Sequence, residues 1–283
     1  MATQRIFWSG LLLILLQTAK PDPVAPDPNT TRPIAAAETL FLEKMTWLEA
    51  RDAMRQGKKT VIVATGGIEQ NGPYLAANKH NLILEAMTDS IARKLGNALV
   101  APIIGFVPEG NIDPPDLHMK YPTTVSLSEE TYRRLLIDVC SCYRTHGFER
   151  IILLGDSGGN QAGMKEVAET LNTRWQAEQT RVVYVPEYYN YPDVKKWLDE
   201  QGVEQTDEGL HDDFAISALV ATVDPEALRM KQRVAAGNFK INGVPLAPIE
   251  KTVAWGRKII DFRTQATITA IEKRWAAVKP KTE

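Results

Sequence analysis

The run Thr60-Val61-Ile62-Val63-Ala64-Thr65 constrains the fold most tightly, because it is apolar or β-branched throughout and stops at Gly66-Gly67. A strand without polar alternation must be covered on both faces, which points to the interior of a parallel sheet with helices above and below. A second such run, Arg150 to Leu154, opens into Gly155-Asp156-Ser157-Gly158-Gly159-Asn160, and shorter ones lie at Ala98 to Pro102 and Arg181 to Val185. Helical patterns separate them: Thr46 to Arg55 with Thr46 as cap, Asn81 to Leu95 closing at Gly96, Ser128 to about His146, and a stretch from Asn160 to about Gln179. A last helix is expected from about Thr252 to Val278. This alternation predicts a three-layer α/β/α sandwich around a mostly parallel central sheet. Such sheets bind ligands beyond the carboxyl ends of their strands, so the chemistry is expected in the loops after Thr65 and Leu154. The long Pro- and Gly-rich loop from Ile104 to Val125 has no period and is expected to cover that edge.

At 283 residues with 44% hydrophobic side chains, the chain suits one large domain. The net charge of −2, with Lys and Arg scattered, excludes a basic stripe for nucleic acid and favours a small-molecule ligand. Between Met1 and Gln17, Arg5 precedes the apolar core Leu11-Leu12-Leu13-Ile14-Leu15-Leu16. A core this short reads as a secretory signal over residues 1–19, with an uncleaved anchor as the alternative. The expectation is a periplasmic or secreted protein without a stable membrane span after processing. Residues 20–37 read as a Pro-rich extended linker and residues 38–283 as the α/β domain. Cys140 and Cys142 stand two apart on an expected helix, where their side chains diverge, so no bridge between them is expected.

Four stretches carry polar residues of catalytic type: Glu69-Gln70-Asn71-Gly72-Pro73-Tyr74-Leu75, His118-Met119-Lys120-Tyr121-Pro122-Thr123-Thr124-Val125-Ser126-Leu127, Gly155 to Asn160, and Gly209-Leu210-His211-Asp212-Asp213. Together they resemble the creatininase (creatinine amidohydrolase) family, where the first three run Glu-Gln-His-Gly-Pro-His-Leu, His-x-x-Phe-Pro-Gly-Thr-x-Ser-Leu and Asn-Gly-His-Gly-Gly-Asn. The resemblance implies a pair of divalent metals held by a Glu, two His, a bridging Asp and a further acid, activating water against a cyclic amide. It also implies a homo-oligomer, in the family a hexamer. Carried over position by position, the Glu is Glu69, the first His is Asn71, the bridging Asp is His80, the second His is Ser157 and the further acid is Gly159. Tyr74 stands at the other His of the first motif, and the family's catalytic His is His211.

An imidazole at His80 cannot bridge two ions as a carboxylate does, so the ordinary two-metal site is not expected. The reading that remains is a remodelled site: Glu69, His80 and Asp156 around a divalent metal, zinc or manganese, as a single ion or none. His211, Asp156 and Ser157 are the catalytic candidates, with His211 moving protons, and Asn71, Tyr74, His118 and Glu187 are the substrate-binding candidates. Plainer roles stand beside these. Asp156 or Ser157 would cap the following helix, His80 would bond backbone at a helix start, and His118 would face solvent. Ser157 on a strand-to-helix turn, with His211 and Asp212 or Asp213, also has the parts of a serine hydrolase. The expected function is an exported creatininase-like hydrolase of a C–N bond in a small amide or cyclic amide. The alternative is a family member that has lost catalysis and binds a small molecule.

Overall fold

The computed structural model describes residues 24–280, so the expected signal segment lies outside the described residues. Residues 24–35 belong to a unit of their own, with a turn closed by Thr30 N–H on Asp27 O (3.0 Å), and residues from Ala36 onward form the second unit.

In that unit β1 (Thr60–Thr65), β2 (Ala98–Val100), β3 (Arg150–Gly155) and β4 (Arg181–Tyr184) form one sheet in the order β2-β1-β3-β4. All three pairings are parallel, with Thr60 opposite Ala98 and Arg150, and Arg150 opposite Arg181. β1 and β3 are buried along their whole length, as their unbroken apolar runs require. Successive side chains leave opposite faces of a strand, and the core divides accordingly. Ile62, Ala64, Ile152 and Leu154 pack with Ile83, Leu84 and Met87 of α2 (Lys79–Leu95), Leu219 of α6 (Phe214–Ala221) and Ile259 of α8 (Ile249–Val278). Val61, Val63, Ile151 and Leu153 pack with Tyr132 and Leu136 of α3 (Glu129–Thr145) and with Met164 and Leu171 of α4 (Gln161–Arg174). The chain is therefore the three-layer α/β/α sandwich that the alternation predicts.

α1 (Trp47–Arg55) opens with a capping box: Thr46 Oγ1 accepts from Glu49 N–H while the Glu49 carboxylate accepts from Thr46 N–H. α2 starts at Lys79, two residues before the helix expected from the sequence, and this places Lys79 and His80 in its first turn. Several elements had no signal. α5 (Tyr191–Glu200), α7 (Met230–Ala235) and the small hairpin of β5 (Lys240–Ile241) with β6 (Val244–Pro245) are short. α6 is apolar all round and almost wholly buried, so it lacks the stripe that marks an amphipathic helix. Among the described residues no helix is long and apolar enough to cross a membrane.

α8 lies against α6 at a glycine. A Cβ on Gly256 would stand 2.1 Å from the Ala218 carbonyl oxygen, a backbone atom that cannot swing aside. Gly256→Ala is therefore expected to destabilise by about 1–3 kcal/mol through overpacking, despite alanine's better helix propensity. Urea unfolding reads this directly: a neutral or stabilised variant would mean that the two helices separate freely.

Candidate active site

Three loops meet beyond the carboxyl ends of β1 and β3. The loop after β1 carries Glu69, the turn after β3 carries Asp156 and Ser157, and the long loop from Ile104 to Val125 is tied down over both. Val125 N–H donates to Ile68 O (3.0 Å) and Leu127 N–H to Val107 O (3.0 Å). Ser126 Oγ accepts from Glu109 N–H (2.9 Å) and donates to Gly110 O (2.7 Å). Thr123, where the family motif has Gly, holds φ of 84°, a left-handed conformation that β-branched residues rarely adopt.

Glu69 is 2% exposed and stands at the centre. Its Oε1 lies 3.1 Å from Lys79 Nζ, 2.8 Å from His80 Nε2 and 3.7 Å from His211 Nδ1, and its Oε2 lies 3.2 Å from His118 Nε2. The opposite nitrogen of His80, Nδ1, is 2.9 Å from Asp156 Oδ2. Asp156, fully buried, also accepts from Tyr191 OH (2.9 Å) and from the Arg263 guanidinium (3.2 Å), which is likewise fully buried. Arg263 lies over the rings of Tyr188 and Tyr191, each 4.6 Å away. The imidazoles of His118 and His211 stack at 4.5 Å. Gln70 holds both rings: its carbonyl oxygen is 3.2 Å from His211 Nδ1, and its side-chain nitrogen 3.4 Å from His118 Nδ1.

The electrostatics follow from this alternation of charge. Burial alone would raise the Glu69 carboxyl, but the His80 hydrogen bond and the charges of Lys79, His80 and His211 hold it far below the ordinary range. Asp156 is lowered in the same way, against its burial, by the His80 hydrogen bond and the Arg263 charge. His80 is raised: burial opposes its charge, and the hydrogen bonds to Asp156 and Glu69 outweigh it. Glu109 goes the other way, pushed up to about 8 by burial and by the Glu69 charge. It accepts from Ser157 Oγ at 3.2 Å through Oε2. Among the described residues its buried Oε1 has no hydrogen-bond partner.

The residues singled out in the sequence divide into two groups. Glu69, His80, Asp156, Ser157, His118 and His211 are brought together. Asn71 turns back on its own loop, its amide donating to Glu69 O (3.0 Å) and Ala76 O (2.9 Å). Tyr74 packs under the Arg233 guanidinium, 4.3 Å away, and Glu187 is taken by Arg274 through bonds of 2.6 and 2.7 Å. Neither of the plainer capping roles is realised: Asp156 faces three side-chain donors, and Ser157 makes no side-chain cap. The Ser157 hydroxyl bonds a carboxyl group rather than an imidazole. Sequence reading missed Lys79, Glu109 and Arg263. Of these Glu109 had a signal, as the one glutamate in the long loop.

The donor set can be tested against a metal. Both His80 nitrogens are occupied by carboxylates, which leaves no ring lone pair for an ion, and Asp156 is engaged by three side-chain donors, the buried Arg263 guanidinium among them. Glu69, His118 and His211 offer ligand atoms that all lie within 4.8 Å of one another, close enough to share one ion.

The family model for creatininase, creatinine amidohydrolase, matches residues 43–271. The chain belongs to the creatininase family. It is 25% identical over 120 residues to the 3-dehydro-scyllo-inosose hydrolase of Thermotoga maritima, a match covering 42% of this chain and 36% of that protein. That is only about a third of the relative's length. Two solved structures share the fold: a manganese form of creatininase (TM-score 0.60, 18% identity, 86% of this chain, 100% of that one) and a mutant creatininase of the Zn-Zn type (TM-score 0.59, 18% identity, the same coverage).

The pH dependence of stability follows from these groups. Between about pH 4 and pH 8 the folded chain keeps protons on Glu109 and, above about pH 6.5, on His80 that the unfolded chain releases, so stability falls as pH rises. Glu69 and Asp156 act oppositely, their contributions being present above about pH 4 and lost below it. Metal-free protein is therefore expected to be most stable near pH 5, and Glu109→Gln to flatten the alkaline decline. Denaturant melts from pH 4 to 9 check this; a maximum above pH 7 in the wild type would contradict the assignment.

Proposed function

We propose that this chain is an exported creatininase-family hydrolase that cleaves the C–N bond of a small amide or cyclic amide. The observation that carries the reading is a pair of buried carboxyl groups tuned in opposite directions, Glu69 held as an anion and Glu109 kept protonated to about pH 8, in one pocket beside the Ser157 hydroxyl. Driven apart in this way, the two take different roles: Glu69 stays an anion and Glu109 is the acid. Amide hydrolysis needs a proton delivered to the leaving nitrogen, and a neutral Glu109 can give it. The proton-moving role expected of His211 passes to Glu109 in this reading, because His211 Nδ1 is engaged by the Gln70 carbonyl. Asp156 and Arg263 act at one remove, fixing the His80 ring that in turn fixes Glu69.

A single divalent ion, zinc or manganese, would polarise the amide carbonyl and lower the pKa of the attacking water. The named metals of the two solved relatives support that choice. The name of the Thermotoga protein supports a hydrolase of a small cyclic compound. Export to the periplasm or beyond rests on the apolar core near the N-terminus, and a homo-oligomer rests on the family resemblance.

A second reading has its own observation. The residues at four of the family's ligand positions, Asn71, His80, Ser157 and Gly159, do not face an open ion site, as expected of a member that binds a small molecule without turning it over. A panel of lactams, creatinine, hydantoins and linear amides separates the two. The hydrolase reading expects product from at least one of them, with Glu109→Gln slowing it by about a hundredfold or more. Ligand-induced stabilisation without product, in protein replete with zinc or manganese, would favour the binding protein. Labelling of Ser157 by a fluorophosphonate would instead bring back the serine nucleophile.

A further inference from the structure

The site has changed the ligand pattern of its family. By resemblance, the position of His80 belongs to a carboxylate that lies between two cations. Here it is an imidazole whose two ring nitrogens are both engaged by carboxylates, 2.8 Å from Glu69 and 2.9 Å from Asp156. Lys79 Nζ lies 3.1 Å from Glu69 Oε1, at 1% exposure. A pair of divalent ions would therefore find no free lone pair at the bridging position, and the Glu69 Oε1 side is already taken by His80 and Lys79. The remaining family positions hold only neutral side chains or none. Asn71 turns its amide nitrogen to backbone carbonyls and keeps one unpartnered amide oxygen, and the Ser157 hydroxyl donates to Glu109. No side chain fits at Gly159, where a Cβ would stand 2.1 Å from the Pro108 carbonyl oxygen.

One place on the same carboxylate keeps the opposite character. Glu69 Oε2 points to His118 Nε2, and His211 stacks on His118. Gln70 lies against the Nδ1 of both rings. These contacts hold both rings beside the Glu69 carboxylate, as the outer partners of metal-ligating histidines do. Both imidazoles are partly open to solvent, their side chains 27% and 43% exposed. Two histidines and one carboxylate with an open side form the ligand set of a catalytic, water-carrying zinc site, and one that manganese or ferrous iron also accepts.

We propose that this chain binds one divalent ion, through Glu69, His118 and His211, in place of the pair that its family holds. Apart from Glu69, the ligands have thus moved from the strand-end loops to the covering loop and the segment before α6. The inference deepens the hydrolase reading by naming the ion site, and its test does not depend on turnover.

Full-length mature protein would be stripped with chelator, checked for retained fold by circular dichroism, and titrated with Zn2+ and separately with Mn2+ by calorimetry. Elemental analysis after dialysis gives the bound count. One ion per chain is expected. His118→Ala and His211→Ala should each weaken binding by more than about a hundredfold, beyond the 10–100-fold typical of outer-sphere partners. Asn71→Ala and Ser157→Ala should leave it unchanged. Because His118 and His211 come from different segments and are partly exposed, each variant tests the site even where the other misfolds. Two ions per chain, no ion, or an ion that survives both histidine substitutions would overturn the proposal, as would loss of the ion in Ser157→Ala. A chain that binds one ion in this way yet hydrolyses no amide would remove the proposed activity and leave the ion site standing.

Discussion

The structure depends on one imidazole held between two buried carboxylates. Glu69, His80 and Asp156, extended by Lys79 at one end and Arg263 at the other, form a line of alternating charge with almost no access to water. Each of these ions would be prohibitively costly to bury alone, and removing one from such a line leaves another uncompensated at about 3–5 kcal/mol. The line is drawn from the loop after β1, the first turn of α2, the turn after β3 and the middle of α8. It therefore fixes α2 and α8, which share one face of the sheet, against the loops at its functional edge. Two cations in the first turn of α2 are at the unfavourable end of that helix's dipole, and only the facing carboxylates make the placement tolerable.

The same line explains why the family's ligand pattern is changed at several positions at once. Once the bridging position carries an imidazole with both nitrogens engaged, neighbouring ligands for a pair of ions lose their purpose. Replacements that satisfy hydrogen bonds locally then become acceptable. Asn71 braces its own loop, and Ser157 supports Glu109. Glycine at 159 clears the space into which Pro108 presses, and glycine at 67 does the same for Glu109, whose Oε1 would stand 2.1 Å from an added Cβ. The acid missing at 159 is regained from a different loop.

Legibility followed the range of the interactions. β1 and β3 could be read from unbroken apolar runs, α1 from Thr46 and Glu49, and the end of α2 from Gly96, because each signal is local. α6 could not be read, since a helix buried on every side shows no period. In the site, Glu69, His80, Asp156 and His211 were legible as a set through the motifs that carry them. Their bonding was not. Nothing in the neighbourhood of Arg263 marks it as the partner of a residue more than a hundred positions earlier, and Lys79 reads as an ordinary helix-start residue until Glu69 is seen facing it. Tyr74 and Glu187 were plausible by position and are diverted by Arg233 and Arg274, partners remote in sequence.

The covering loop is accordingly part of the machinery rather than a lid over it. It delivers His118 to one side of Glu69 and Glu109 to another, and both depend on backbone held by Ser126 and by the pairing of Ile68 with Val125. Thr123 bears a backbone conformation that costs a residue with a Cβ about 1–2 kcal/mol, three residues before Ser126 and five after His118. A loop that only excluded water would be free to relax that turn. One that must place an imidazole and a carboxyl within hydrogen-bonding reach of fixed partners is not, and the strained threonine is tolerated because the contacts on both sides of it over-determine the path of the chain.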